Sequence, residues 1–150
     1  MAKGVTVSVR PKKSIIAKSK LAKAMMADAY FVESPKHCPF RPTVDYVEKW
    51  FAIINKEVFS GQLRKPDKIE VRRRHKCWAE TGGYVLNEDG QETVVINLSI
   101  NHRFKSHKHF LSVLAHECVH IYEYLTGQTM GHGQNFLAWG PKLAKFGVQI

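Results

Sequence analysis

Residues 110–124 read Phe110-Leu111-Ser112-Val113-Leu114-Ala115-His116-Glu117-Cys118-Val119-His120-Ile121-Tyr122-Glu123-Tyr124. Phe110, Leu114, Val119 and Tyr122 recur at helical spacing, which predicts a helix over 107–126 that Gly127 ends. Inside it stands an HExxH pattern. Residues four apart on an α-helix differ by about 40° in rotation and about 6 Å in rise. The imidazoles of His116 and His120 therefore leave one face and can reach one ion. Zinc accepts histidine nitrogen at about 2.0–2.1 Å. Glu117 lies beside the first histidine, placed to take a proton from an attacking water as general base.

A catalytic zinc site keeps three protein ligands and one open position. The third ligand follows by elimination. The residues after His120 do not continue as HxxGxxH, and no Asp or Glu occurs between Tyr124 and Ile150. Glu123 is too near on the same helix to serve well, and reads as a neighbour of the ligands or a solvent-facing group. His132, between Gly131 and Gly133, is the strong donor that remains. The expected cofactor is one Zn2+ on His116, His120 and His132. A donor for the reaction's oxyanion is also needed. Tyr84, Tyr122, Tyr124 and His109 are all candidates, and the sequence does not choose among them.

Upstream of this helix the apolar pattern changes period. Val47, Trp50, Phe51, Ile54 and Val58 predict a helix that Thr43 caps and Gly61 closes. Strands are expected at 68–75, at 77–86 with a break at Gly82-Gly83, and at 93–100. The last two flank a turn at Asn87-Glu88-Asp89-Gly90 and suggest a hairpin. Gln134 to Phe146 predicts a final helix interrupted at Gly140-Pro141. Before Thr43 the reading is a strand at Val5–Val9, a basic amphipathic helix over 14–31, and an irregular crossing at 34–42 marked by Pro35, Pro39 and Pro42.

With 150 residues, 44% of them hydrophobic, the chain suits one domain with an ordinary core and excludes global disorder. No apolar run is long enough to span a bilayer. Three cysteines, Cys38, Cys77 and Cys118, make neither a disulfide framework nor a CxxC pair, which indicates a reducing, cytoplasmic setting.

The net charge is +10, and its distribution is uneven. Residues 1–42 hold nine Lys/Arg against two acids, while residues 43–150 hold fourteen against eleven. Such a skew suits a polyanionic partner, DNA or RNA, or a solvated basic tail. Arg72-Arg73-Arg74-His75-Lys76 followed by Trp78 joins cations to an aromatic ring, as single-strand binding requires. The competing reading is a strand edge blunted by charge, with Trp78 in the core. The run from His102 to His109 reads as a second basic loop, phosphate-contacting or solvated.

The spacing His116-Glu117-x-x-His120, eleven residues, then His132-Gly133-x-x-Phe136 resembles the SprT-like zinc metallopeptidase family, which includes the DNA–protein crosslink protease Spartan. Phe51-x-x-Ile54-Asn55-x-x-x-Phe59-x-Gly61-x-Leu63 is similar to that family's opening helix. Ala79-x-x-Gly82-Gly83 and Ile96-Asn97-Leu98-Ser99 are similar to two of its strands. The resemblance implies a zincin-like fold and zinc on the three histidines. For some members it also implies proteolysis stimulated by DNA.

The expected architecture is α+β: an N-terminal helix, a small three-stranded antiparallel-type sheet, the HExxH helix and a C-terminal helix. Residues 1–42 would form a basic N-terminal extension and residues 43–150 the SprT-like metallopeptidase domain. The expected activity is zinc-dependent endopeptidase, on protein substrates associated with nucleic acid. The alternative is a non-enzymatic nucleic-acid-binding or assembly protein with a structural zinc. Glu117 favours the enzyme, because a purely structural site has no need of it.

Overall fold

An α-helix leaves its first N–H groups without partners, and the longer helices of this protein begin where a side chain supplies one. The computed structural model describes residues 17–29 and 39–150. Its elements run α1 (Lys20–Ala29), α2 (Val44–Val58), β1 (Lys68–Arg72), β2 (Ala79–Glu88), β3 (Gln91–Asn101), α3 (His107–Leu125), α4 (Gln134–Leu137) and α5 (Gly140–Ala144). Thr43 Oγ1 accepts the Tyr46 N–H at 3.2 Å, and Ser106 Oγ accepts the His109 N–H at 3.0 Å. At α1 the acceptor comes from another helix. The Glu57 carboxylate of α2 takes the N–H groups of Lys20 and Leu21 at 2.6 and 3.1 Å. The expected strand at Val5–Val9, the ends of the expected helix 14–31, and Cys38 lie outside the described residues.

The apolar faces meet in one core. Leu21 and Met25 of α1 enter it beside Trp50 and Ile54 of α2, Leu98 and Ile100 of β3, and Phe110 and Leu114 of α3. The similarity noted around Asn55 has a physical basis. The Asn55 amide donates to the Leu63 carbonyl at 2.8 Å and accepts the Leu63 N–H at 2.9 Å. It thereby folds the chain back after α2 and buries Phe59 and Leu63. Gly61, at φ 75°, makes the reversal and donates its N–H to the Asn55 carbonyl.

The sheet is mixed, which corrects the antiparallel-type expectation. Its order is β1-β3-β2, with β2 antiparallel to β3 and β1 parallel to it. The cause is the segment 73–78, which crosses the end of β3. β1 arrives at that end and β2 departs from it, so they run in opposite directions along the two sides of β3. Asn101 pins the crossing. Its N–H donates to the Trp78 carbonyl at 2.8 Å, and its side-chain amide donates to the carbonyls of Arg74 and Cys77. The hairpin turns through Asp89 and Gly90, both at positive φ, as the Asp-Gly pair predicts. The expected C-terminal helix is two short pieces, α4 and α5, separated at Ala138-Trp139.

Gly82 and Gly83 do not break β2. Residue 83 must lack a side chain because α3 lies close: a Cβ there would come within 2.9 Å of the Val95 carbonyl and 3.1 Å of the Tyr124 ring. A Cβ at residue 82 would meet nothing within 4 Å. Among the described residues, no helix is long and apolar enough to cross a membrane. Gly83→Ala should lower stability by about 1–3 kcal/mol through overpacking, while Gly82→Ala should cost distinctly less. Urea unfolding of the two variants against the parent checks this contrast.

Candidate metal centre

α3 carries His116, Glu117 and His120, and the loop before α4 carries His132. The Nε2 atom of His116 lies 3.2 Å from that of His120 and 3.1 Å from that of His132. The ligand atoms of all three lie within 4.8 Å of one another. Donors at about 2.0–2.1 Å around a tetrahedral zinc are spaced roughly 3.4 Å apart. The three nitrogens therefore fit a single ion. Phe136 of α4 holds them in place from behind, with ring centroids 4.7 Å from His116, 5.0 Å from His120 and 4.7 Å from His132.

The tautomer of His120 follows from its neighbour. Its Nδ1 lies 2.7 Å from Oε1 of Glu123, a carboxylate only 1% exposed. A carboxylate accepts, so Nδ1 carries the hydrogen and Nε2 presents its lone pair to the cluster. Glu123 is thus the partner of a ligand-like histidine, one of the two roles its sequence position left open. Burial lowers the pKa of His116 to about 4, with the charges of His120 and His132 adding to the effect. At neutral pH its ring is uncharged, the state a metal requires.

Glu117 is 5% exposed, and its Oε2 accepts a hydrogen bond of 2.5 Å from Thr81 Oγ1 of β2. Burial raises its pKa, while the Thr81 bond pulls in the opposite direction. Cys118, inside the same motif, is fully buried, and its thiol is pushed well above the ordinary range by that burial. It faces the core and takes no part in the cluster.

A sequence model described as the SprT-like family matches residues 47–150. The chain belongs to the SprT-like family. No curated protein and no solved structure matches it. The family is associated with zinc metallopeptidases, and a trio of histidines able to hold a metal accords with that association.

This SprT-like chain also draws its two basic runs together. Arg73, Arg74, Lys76 and Trp78 line one cleft of about 760 Å³ with Arg103 and Lys105. Arg72 does not line it, and sits 3.8 Å from Glu70. Arg74 is engaged within the fold: it donates to Ser99 Oγ at 2.7 Å and to Cys77 Sγ at 3.2 Å, and pairs with Glu80. Trp78 is 40% exposed, with its ring stacked on Phe104 and Lys105 above it. Neither the fully buried nor the fully free reading of that ring holds.

Two of the four oxyanion candidates are accounted for elsewhere. Tyr122 packs edge-on against Trp139. His109 accepts the Lys105 N–H at Nδ1, and its ring stands edge-on to Trp78. Sequence reasoning missed Thr81. Its only signal was the alternation that sets it on the same face of β2 as Ala79 and Gly83.

Replacing His132 by Ala should abolish tight zinc binding, and Glu123→Gln should weaken it by about 10–100-fold while leaving the fold intact. Competition against a chelator of known affinity, with circular dichroism alongside, measures both.

Proposed function

We propose that this chain is a zinc-dependent endopeptidase of SprT-like type, with residues 43–150 as its metallopeptidase domain in a zincin-like arrangement. The observation that carries the reading is Glu117. A buried carboxylate, held by a hydroxyl from a facing strand and set beside a histidine cluster that opens to solvent at His132, suits a general base. It would be a costly ornament in a site that only holds the fold.

His116, His120 and His132 would hold the zinc through Nε2, with Glu123 fixing the ring of His120. When bound, zinc supplies a Lewis acid that polarises a peptide carbonyl and lowers the pKa of water. Glu117 removes the proton of the attacking water. Because Oε2 is engaged by Thr81, Oε1 is the atom that receives it. The same carboxyl group then returns the proton to the departing amine, which closes the cycle. Phe136 shields one side of the histidines from solvent.

The substrates we propose are proteins bound to nucleic acid. The cleft containing Arg73, Lys76, Arg103 and Lys105 offers cations to a phosphate backbone, and Trp78 offers a partly exposed ring to a base. This cleft also supports the second reading, a nucleic-acid-binding protein without catalysis. That reading leaves Glu117 without a task.

Glu117→Gln should keep zinc and fold yet lose cleavage of an unfolded protein by about a hundredfold or more. Undiminished proteolysis by the zinc-loaded variant would defeat the mechanism.

Activity should also fall on the acid side at a pH above the ordinary carboxylate value of 4.5, because a raised pKa leaves Glu117 protonated there. Thr81→Val removes a bond that favours the charged form, so the acid limb should move to still higher pH. A pH profile of kcat/KM for both proteins tests the sign.

Replacing Arg73, Lys76 and Arg103 together by Ser should weaken single-stranded DNA binding and flatten its dependence on salt. Fluorescence anisotropy over a salt series reads both effects.

A further inference from the structure

We infer that the cavity adjoining His116 and Glu117 is a subsite for one bulky apolar side chain of the peptide substrate, next to the bond that is cut. The inference rests on the peptidase reading above. The cavity measures about 430 Å³ and is walled by Trp78, Ala79, Val113 and Ile150, with His116 and Glu117 at its edge. Val113 precedes His116 by three residues and lies one turn away on the same face of α3. Ala79 shares a face of β2 with Thr81, the residue that holds Glu117. The pocket thus continues directly from the base and the histidines, where a side chain flanking a reacting carbonyl would enter.

Its chemistry favours apolar side chains and selects against negative charge. Apart from Glu117, no charged side chain lines it. An aspartate or glutamate inserted there would lose water and meet the carboxylate of Glu117 without a cation to offset either cost. The imidazole of His109 also contributes to the lining, but its Nδ1 accepts the Lys105 N–H at 3.2 Å and its ring stands edge-on to Trp78 at 4.5 Å. The ring is thereby fixed, and burial, with the charge of Lys105, lowers its pKa. Trp78 and Cys77 border both this pocket and the basic cleft, so the apolar and cationic sites adjoin at these two residues. Small side chains would leave most of the volume to water and gain little.

The test has a catalytic arm and a binding arm. The zinc-loaded protein digests an unfolded protein, and mass spectrometry of the new termini reads the residues beside each cut. Phe, Leu or Met should exceed Ala or Gly there by about tenfold or more. Val113→Phe fills the pocket and should shrink that ratio by about tenfold. Ala79→Leu fills it from the facing strand, should one variant fail to fold. An unchanged ratio in a folded, zinc-loaded filled variant overturns the inference.

In the binding arm, Glu117→Gln protein without added zinc is titrated with peptides that differ only in Phe or Ala at one position. Tryptophan emission is followed, and Trp78→Phe identifies its source. The Phe peptide should bind about tenfold more tightly. Cleavage without preference for bulky residues removes the subsite and leaves the peptidase. Discrimination in binding with no cleavage of any substrate removes the peptidase and leaves the subsite. Neither cleavage nor discrimination removes both.

Discussion

Three imidazole nitrogens with their lone pairs aimed at one point repel one another unless a cation sits among them. That convergence sets demands on the rest of the molecule. α3 must be rigid and buried, because two of the nitrogens depend on its helical spacing. The chain must return after α3 to deliver His132, and Phe136 must fill the space behind the rings so that they cannot relax apart. Glu123, inside the core, fixes the remaining degree of freedom, the tautomer of His120. The apolar leader from Phe110 to Ala115 anchors the helix in the core that α1, α2 and β3 build with it.

Much of this was legible from residues alone, for reasons that are local. HExxH is a statement about helical geometry, so its two histidines could be joined without a structure. His132 followed from the lack of any competing acid. The Asp89-Gly90 turn and the Thr43 cap are also local, and each occurs where its chemistry requires. The direction of β1 was not local. It depends on which end of β3 the 73–78 crossing passes, and that is decided by the side-chain amide of Asn101, nearly thirty residues beyond β1. Thr81 was invisible for the same reason, since its partner lies thirty-six residues away on another element. Gly82-Gly83 misled because glycine in a strand suggests a break, whereas here it marks a close approach.

The basic residues divide on inspection. Arg74, in the middle of the most cationic run, serves the fold through Ser99, Cys77 and Glu80. Arg73 and Lys76 face the cleft with Arg103 and Lys105. Part of the basic N-terminal stretch is structural as well: α1 contributes Leu21 and Met25 to the core and rests its first turn on Glu57. Net charge therefore overstates what is available to a partner.

Gly83 acts as a ruler for the whole site. A Cβ at 83 would lie 3.1 Å from the Tyr124 ring, so β2 and α3 approach each other there more closely than a side chain permits, and Thr81 lies two residues away on the same face of the strand. A hydrogen-bonded hydroxyl and carboxylate tolerate only a few tenths of an ångström of separation before the bond weakens. Any side chain that wedged the strand outward at 83 would draw Thr81 off Glu117 and raise the proton affinity of that carboxylate without touching it. A position without a side chain thereby sets the spacing on which the proton affinity of Glu117, on the facing helix, depends.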